Sequence, residues 1–171
     1  MSNLSALTGD EWGVWRSFSS MRRQLDRALE TQLRRDSAVS VAEYEVLLAL
    51  HEAPDRQLRI KEISARTGWE KSRVSHQVTR LEKRRLLSRS ECETDGRGSW
   101  VALTSDGRRT VLDAMRAHGD AIRQYFFDLL AAGEGELLQR FSEQVLEAIG
   151  ALPDTKSPTD TKSPAGAGSP A

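Results

Sequence analysis

The sequence predicts a mainly α-helical fold with a small β-wing, a winged helix-turn-helix that dimerises through its N- and C-terminal helices. Residues 58–87 have the pattern of two short helices joined by a glycine turn. Two short apolar segments around a polar loop follow, and long amphipathic segments lie at both ends. A hydrophobic content of 38% in 171 residues suits one domain with a partner subunit.

Residues 1–35 are predicted to form an N-terminal dimerisation helix. The alternative to dimerisation is that this helix and the long helices at the C-terminal end form a bundle within one chain. Large side chains recur at three- and four-residue steps, which is the spacing of one helix face. They indicate a helix from about Gly9 or Asp10 to Arg35, and they are Trp15, Phe18, Arg22, Leu25, Leu29 and Leu33.

The next helix is predicted over Val41–Ala53. Ser40 has the side chain of an N-cap, and Glu43 follows at the spacing of a capping box. Pro54 ends the helix because its ring denies the chain another helical turn.

The helix-turn-helix is predicted from two apolar faces separated by Gly68. Ile60 and Ile63 mark the first helix, and the second begins near Glu70. At about 100° per residue, the apolar residues of the second helix share one face and its polar residues share the opposite one. The apolar face has Val74, Val78 and Leu81, and the polar face has Ser72, His76, Thr79 and Lys83.

Positive charge is concentrated on this second helix. Between Trp69 and Arg89 there are seven Lys or Arg against two Glu, whereas the whole chain has 25 basic and 25 acidic residues. Arginine can pair with guanine edges, hydroxyls and imidazoles can contact bases or phosphates, and lysine neutralises the backbone. We expect DNA contacts from Lys71, Ser72, Arg73, Ser75, His76, Thr79, Arg80 and Lys83. The alternative is a winged-helix protein-interaction module that binds an acidic partner.

A β-hairpin wing is predicted after the second helix, from a strand at Leu86–Ser90 and a return strand at Trp100–Leu103. The polar loop between them would present Arg97 to a narrow minor groove. Asp95 would hold an arginine by a charge-assisted hydrogen bond. The complete DNA-binding region is predicted over residues 36–108.

Residues 109–152 are predicted to supply C-terminal dimerisation helices. Thr104 or Ser105 can cap a long helix that continues to about Ala131. Two glycines, at 133 and 135, interrupt the pattern, and a last helix is predicted over Glu136–Leu152. Residues 153–171 change to Pro, Ser, Thr, Lys, Gly and Ala, with DTKSP occurring twice, and predict a disordered tail.

From about Glu11 to Gly150 the chain resembles the MarR family of winged helix-turn-helix regulators. The resemblance is carried by RIKEISARTG, KSRVSHQVTRLEKRRLLSR, the wing and the LTSDG passage. It implies a homodimer that binds a palindromic operator and is often released by a small molecule or an oxidant. Many relatives have glycine after the recognition helix, where this chain has Arg84 and Arg85, which predicts a different helix exit or wing angle.

The resemblance also implies a ligand crevice between the dimerisation helices and the DNA-binding region. The helices that could line it would suit a small aromatic or anionic effector. Aromatic walls with one cation fit a planar anion such as a phenolic acid. The residues concerned are Trp12, Trp15, Arg22, Tyr44 and His51. The alternative is that the tryptophans are packing residues of a dimer core.

Other functional classes have little support in the sequence. The single cysteine, Cys92, leaves a redox-responsive regulator as an alternative, but its neighbours Glu91 and Glu93 disfavour a thiolate. The three histidines are far apart, so no metal site is expected, and no catalytic motif or cofactor-binding loop indicates an enzyme. Without a signal peptide or an apolar run of about 18 residues, the expected location is the cytoplasm.

Overall fold

The computed structural model describes residues 7–91 and 99–150 of the chain. The elements are α1 (Gly9–Ser37), α2 (Val41–His51), β1 (Gln57–Arg59), α3 (Ile60–Thr67), α4 (Lys71–Lys83), β2 (Leu87–Glu91), β3 (Ser99–Leu103), α5 (Ser105–Tyr125) and α6 (Glu134–Gly150). The contacts divide these residues into two compact units, one through Leu129 and one from Leu130 onward. The mainly helical class with a small sheet is confirmed.

Local capping fixes the first two helices. Thr8 and Glu11 form a capping box at the start of α1, and Ser40 and Glu43 form the predicted one at the start of α2. α2 ends at His51, two residues before the predicted end at Ala53. The residue before a proline is driven away from helical backbone angles, and Ala53 precedes Pro54.

The core of the first unit lies between α2 and the elements around it. α2 packs against α3, α4, α5 and β3, and α1 packs along α5. The fully buried large side chains come from every one of these elements and are Leu33, Val39, Val46, Leu47, Leu50, Ile63, Leu81, Val74, Val78, Val101 and Val111. This arrangement fixes α4 against α2 through one face.

The sheet has three antiparallel strands in the order β1-β3-β2. Leu58 pairs with Val101 and Arg89 with Val101 from the other side. The sequence predicted only the two wing strands and placed Leu58 at the start of the helical pair. Leu58 lies instead in β1, a third strand that the prediction missed. Three residues are too few to show a strand period.

The chain after β3 also departs from the prediction. α5 ends at Tyr125 rather than near Ala131, because Phe126 leaves helical geometry at φ −135° and ψ −66° and a 3-10 turn, Phe127–Leu129, follows. In the second unit α6 begins at Glu134, whose carboxylate accepts a hydrogen bond from the Ala131 amide at 2.8 Å. α6 has no buried residue, and the predicted end at Leu152 lies outside the described residues.

Candidate nucleic-acid interface

We call α4 the recognition helix. Its outward side carries polar and cationic side chains. Val74, Val78 and Leu81 have no exposed surface and hold the helix against the core, so the intervening positions turn to solvent. Ser75 is half-buried. The other predicted DNA contacts on this helix are exposed, and they are Lys71, Ser72, Arg73, His76, Thr79, Arg80 and Lys83.

Arg73 is held in place at the start of the recognition helix by an aromatic neighbour. Its guanidinium carbon lies 3.8 Å from the ring centroid of Trp69, which is half-buried and packs against the core. A cation–π contact of this kind restricts the arginine without neutralising it. Trp69 has no role among the predictions from the sequence. Its position four residues before Arg73 nevertheless indicates such a contact.

The hydroxyl of Thr79 is already oriented by the protein. It donates to the Ser75 carbonyl at 2.9 Å and accepts a hydrogen bond from Arg89 Nη2 at 3.0 Å. Arg89 in β2 also pairs with Glu82 on the recognition helix, with 3.3 Å between Nε and Oε2. Arg89 therefore joins the wing to the recognition helix, a link between distant positions that sequence patterns do not show.

Glu43 forms a charged centre behind the recognition helix. Its side chain is 4% exposed, and its Oε1 lies 3.1 Å from Arg84 Nη1 and 3.8 Å from Arg80 Nη2. Its Oε2 accepts hydrogen bonds from the Ser40 amide at 2.9 Å and the Ser40 hydroxyl at 3.1 Å. Arg84 also donates through Nη2 to the Ala38 carbonyl at 2.9 Å. The capping glutamate of α2 is thus also the ion-pair partner of two arginines, Arg80 within the recognition helix and Arg84 at its end.

These contacts keep the Glu43 carboxylate charged. Burial alone raises the pKa of Glu43, but hydrogen bonds from Ser40 and the Arg84 guanidinium outweigh it and leave that pKa below its ordinary value. Glu43 is therefore an ionised carboxylate at neutral pH.

The wing is described at its two strands. The tip residues 92–98, which include Cys92, Asp95 and Arg97, lie outside the described residues. The wing strands that flank them are described and pair from Leu87 with Leu103 to Glu91 with Ser99. The Asp95 and Arg97 contacts therefore stay predictions.

An open cavity of about 570 Å³ lies beside the recognition helix, between α1, α2 and α5. Arg73 and Arg80 line it together with Trp69 and His118. Glu45 also lines it, and burial raises the pKa of Glu45 while nearby Arg73 lowers it by a smaller amount. Two candidate DNA contacts, Arg73 and Arg80, therefore also face this open cavity.

The five residues predicted to bind an effector are not among those that line this cavity. Trp12, Trp15 and Arg22 are exposed on α1, whereas Tyr44 and His51 are half-buried on α2. Of these, Tyr44 contacts a residue of the cavity wall, because its ring packs edge-on against that of His118 with centroids 5.2 Å apart.

Comparison with known proteins agrees with this geometry. Residues 39–98 match the model of the MarR family. AbsC, a MarR family transcriptional regulator from Streptomyces coelicolor, is 31% identical with a TM-score of 0.77, over 86% of this chain and 99% of that one. Sco3205, a MarR family regulator from the same organism solved in complex with DNA, is 34% identical with a TM-score of 0.76, over 91% and 96%. This chain belongs to the MarR family.

PcaV, a transcriptional regulator from Streptomyces coelicolor, is also similar to this MarR-family chain, at 25% identity and a TM-score of 0.66 over 78% of this chain and 98% of that one. A search of curated proteins gives no match. Members of the MarR family are DNA-binding transcriptional regulators and not enzymes. The family resemblance and the winged-helix fold class that the sequence predicted are confirmed.

Metal-ion clusters and membrane-spanning helices are both absent from the described residues of this MarR-family chain. In residues 7–91 and 99–150, no group of three His, Cys, Asp or Glu is placed to hold a metal ion. Over the same ranges, no helix combines the length and the apolar character that crossing a membrane would need.

Proposed function

We propose that this protein is a ligand-responsive repressor that binds a palindromic operator as a homodimer. The observation that carries the proposal is the exposed cationic and hydroxyl-bearing side of the recognition helix, opposite three fully buried residues. The similarity of the whole chain to Sco3205, a protein solved in complex with DNA, supports the same conclusion. Because its target is genomic DNA, we expect the protein in the cytoplasm.

In this proposal the recognition helix enters the major groove, and the wing reaches the adjacent minor groove. Arg97 enters the minor groove and Asp95 holds an arginine that shapes the wing. The major-groove side chains are Lys71, Ser72, Arg73, Ser75, His76, Thr79, Arg80 and Lys83.

Dimerisation is supported by apolar surface that each unit leaves exposed. Trp12, Trp15 and Phe18 are 46%, 53% and 39% exposed on α1. The dimer contacts would come from residues 1–35 and 109–152, on either side of the DNA-binding region 36–108. We assign no dimer contact to residues 153–171. Two recognition helices about 34–36 Å apart then meet successive major grooves, which requires a palindrome.

The cavity beside the recognition helix supports an effector. An aromatic or other small anion bound there would attract Arg73 and Arg80, which the proposal also assigns to DNA. The ligand and the operator would therefore compete for the same guanidinium groups. Tyr44, with Trp12, Trp15, Arg22 and His51, remains the set that the sequence predicts for an aromatic ligand.

Selection of bound duplexes from a random DNA pool tests the function. We expect a twofold-symmetric sequence with half-sites about one helical turn apart. Affinity should fall linearly in log salt, with a slope of about 0.9 per phosphate contacted. A pool that yields no enriched sequence would contradict operator binding, and enrichment of one isolated half-site would contradict the palindrome.

Substitution of a single arginine tests the assigned contacts. Arg73→Ala should weaken binding to the selected duplex by about 1–3 kcal/mol and, if Arg73 contacts a base, relax preference at one position. The matched control is Arg109→Ala, which removes an exposed arginine paired with Asp106 on α5. Equal losses in both variants would mean that only total charge matters.

A further inference from the structure

Arg84 directly follows the last residue of the recognition helix, and the structure gives it a buried partner. It ends the recognition helix, and its two terminal nitrogens reach Glu43 at 3.1 Å and the Ala38 carbonyl at 2.9 Å. Ala38 closes α1 and Glu43 opens α2. One arginine therefore joins the end of the recognition helix to the junction between α1 and α2.

Glu43 has a second cation within reach. Arg80 Nη2 lies 3.8 Å from the same Oε1 that Arg84 contacts at 3.1 Å, and the Arg80 side chain is 56% exposed whereas that of Arg84 is 38% exposed. At 3.8 Å the Arg80 contact is an attraction without a hydrogen bond. Arg84 is thus the closer counter-charge of the buried carboxylate, and Arg80 stays largely in solvent.

We infer that Arg84 is a positioning residue for DNA recognition, because it neutralises Glu43 and so keeps Arg80 available to DNA. The inference rests on the proposed function, in which Arg80 contacts the operator. Without Arg84, Arg80 would remain as a cation 3.8 Å from the buried carboxylate. A buried charge without a partner is strongly unfavourable, so Arg80 would be drawn inward onto Glu43 and away from the groove.

This reasoning predicts a rescue that an ordinary stabilising contact would not give. Arg84→Met keeps the aliphatic stem and removes the charge, and it should weaken binding to the duplex selected with the wild-type protein by about tenfold. Adding Glu43→Gln removes the competing carboxylate but keeps an amide oxygen for the Ser40 cap. Binding by the double variant should return to within about threefold of wild type.

The link through Arg80 is tested by a double-mutant cycle. Arg80→Ala should weaken binding in the wild-type background and have a smaller effect in Arg84→Met, because Arg80 is already withdrawn there. If Arg80 contacts a phosphate, Arg84→Met should also lower the salt slope by about 0.9. Arg109→Met removes one positive charge from an exposed side chain on α5, and its affinity shows how much of the loss in Arg84→Met is due to total charge alone.

The outcomes separate the inference from the proposed function. All affinities are measured by titration at a temperature where circular dichroism shows each variant to be folded. Failure of the wild-type protein to select any duplex would remove the proposed function and this inference with it. Specific binding by the wild-type protein, with no loss in Arg84→Met or no recovery in the double variant, would overturn the inference alone.

Discussion

At the residue scale, the end of the recognition helix is closed by Arg85, which has the left-handed backbone angle φ +59°. The Arg85 amide donates to Glu82 at 2.8 Å and the Leu86 amide to Leu81 at 3.0 Å, and both leucines are buried. This is the Schellman closure, whose left-handed position usually has glycine. The glycine that many relatives have after the helix would therefore be favourable at Arg85.

We accordingly predict that Arg85→Gly raises the free energy of unfolding by about 1 kcal/mol. A non-glycine residue in this conformation costs roughly 1–2 kcal/mol, which glycine would relieve, but part of this gain is lost because glycine has more backbone entropy in the unfolded chain. Denaturant unfolding measures the change. Arg85→Ala is the control, since it removes the arginine and keeps the strain. A similar gain in Arg85→Ala would contradict the backbone explanation.

Gly107 is required for a different reason, which is the close approach of two segments. A Cβ there would lie 1.9 Å from the Leu86 carbonyl oxygen, and the Thr104 amide and hydroxyl donate to the same oxygen at 3.1 Å. The LTSDG passage that marked the family resemblance thus seats the start of α5 on the end of the recognition helix.

Gly107→Ala should lower the free energy of unfolding by about 3 kcal/mol, since the new methyl group meets backbone and not a flexible side chain. Gly119→Ala is the matched control, because the same helix has open space at that position. It should be neutral or stabilising by up to about 1 kcal/mol. Urea unfolding of both variants checks the contrast, and equal effects would refute the contact.

At the element scale, one polar network joins three helices of the first unit. His118 Nδ1 in α5 lies 3.0 Å from Gln32 Oε1 in α1, and the ring packs against Tyr44 in α2. Gln32 is 3% exposed and its amide nitrogen donates to Asp36 at 3.1 Å. The Gln32 oxygen therefore faces His118 and accepts from Nδ1–H.

Burial lowers the pKa of His118 from its ordinary value of 6.5. The unfolded chain consequently binds the proton more readily than the folded one. The stability that neutral His118 contributes is therefore complete above pH 6.5 and is lost as the pH falls toward the folded-state pKa. We predict that wild type loses more unfolding free energy than His118→Gln over this window. Groups that titrate in both proteins cancel in the difference, and parallel pH profiles would contradict the prediction.

The sequence predicted the recognition helix well and some other elements poorly, for physical reasons. Val74, Val78 and Leu81 show a clear helical period, so their shared buried face was predictable. α5 was predicted too long because apolar spacing continues through Phe126 and Leu129 although the backbone turns. The Glu43 cap was also visible, but its pairing with Arg84 joins distant parts of the chain and leaves no local pattern.

At the scale of the whole molecule, exposed apolar surface favours association of two copies, and the net charge does not oppose it. Besides the exposed aromatic residues of α1, α6 exposes 57% of Leu137, 52% of Phe141, 68% of Leu146 and 58% of Ile149. Extended apolar surface of this kind marks an interaction site. The net charge of zero adds no general repulsion between identical chains.

We therefore predict that Phe141→Glu shifts the protein from dimer to monomer in sedimentation velocity at micromolar concentration, because a carboxylate would have to be buried in the interface. Gln139→Glu adds the same charge to α6 at a polar position and should leave the dimer intact. Binding to a duplex with two half-sites should weaken in Phe141→Glu much more than binding to a single half-site, because only the first depends on linking two recognition helices. A Phe141→Glu protein that remains dimeric would place the dimer contacts elsewhere, and equal losses on both duplexes would separate dimerisation from operator affinity.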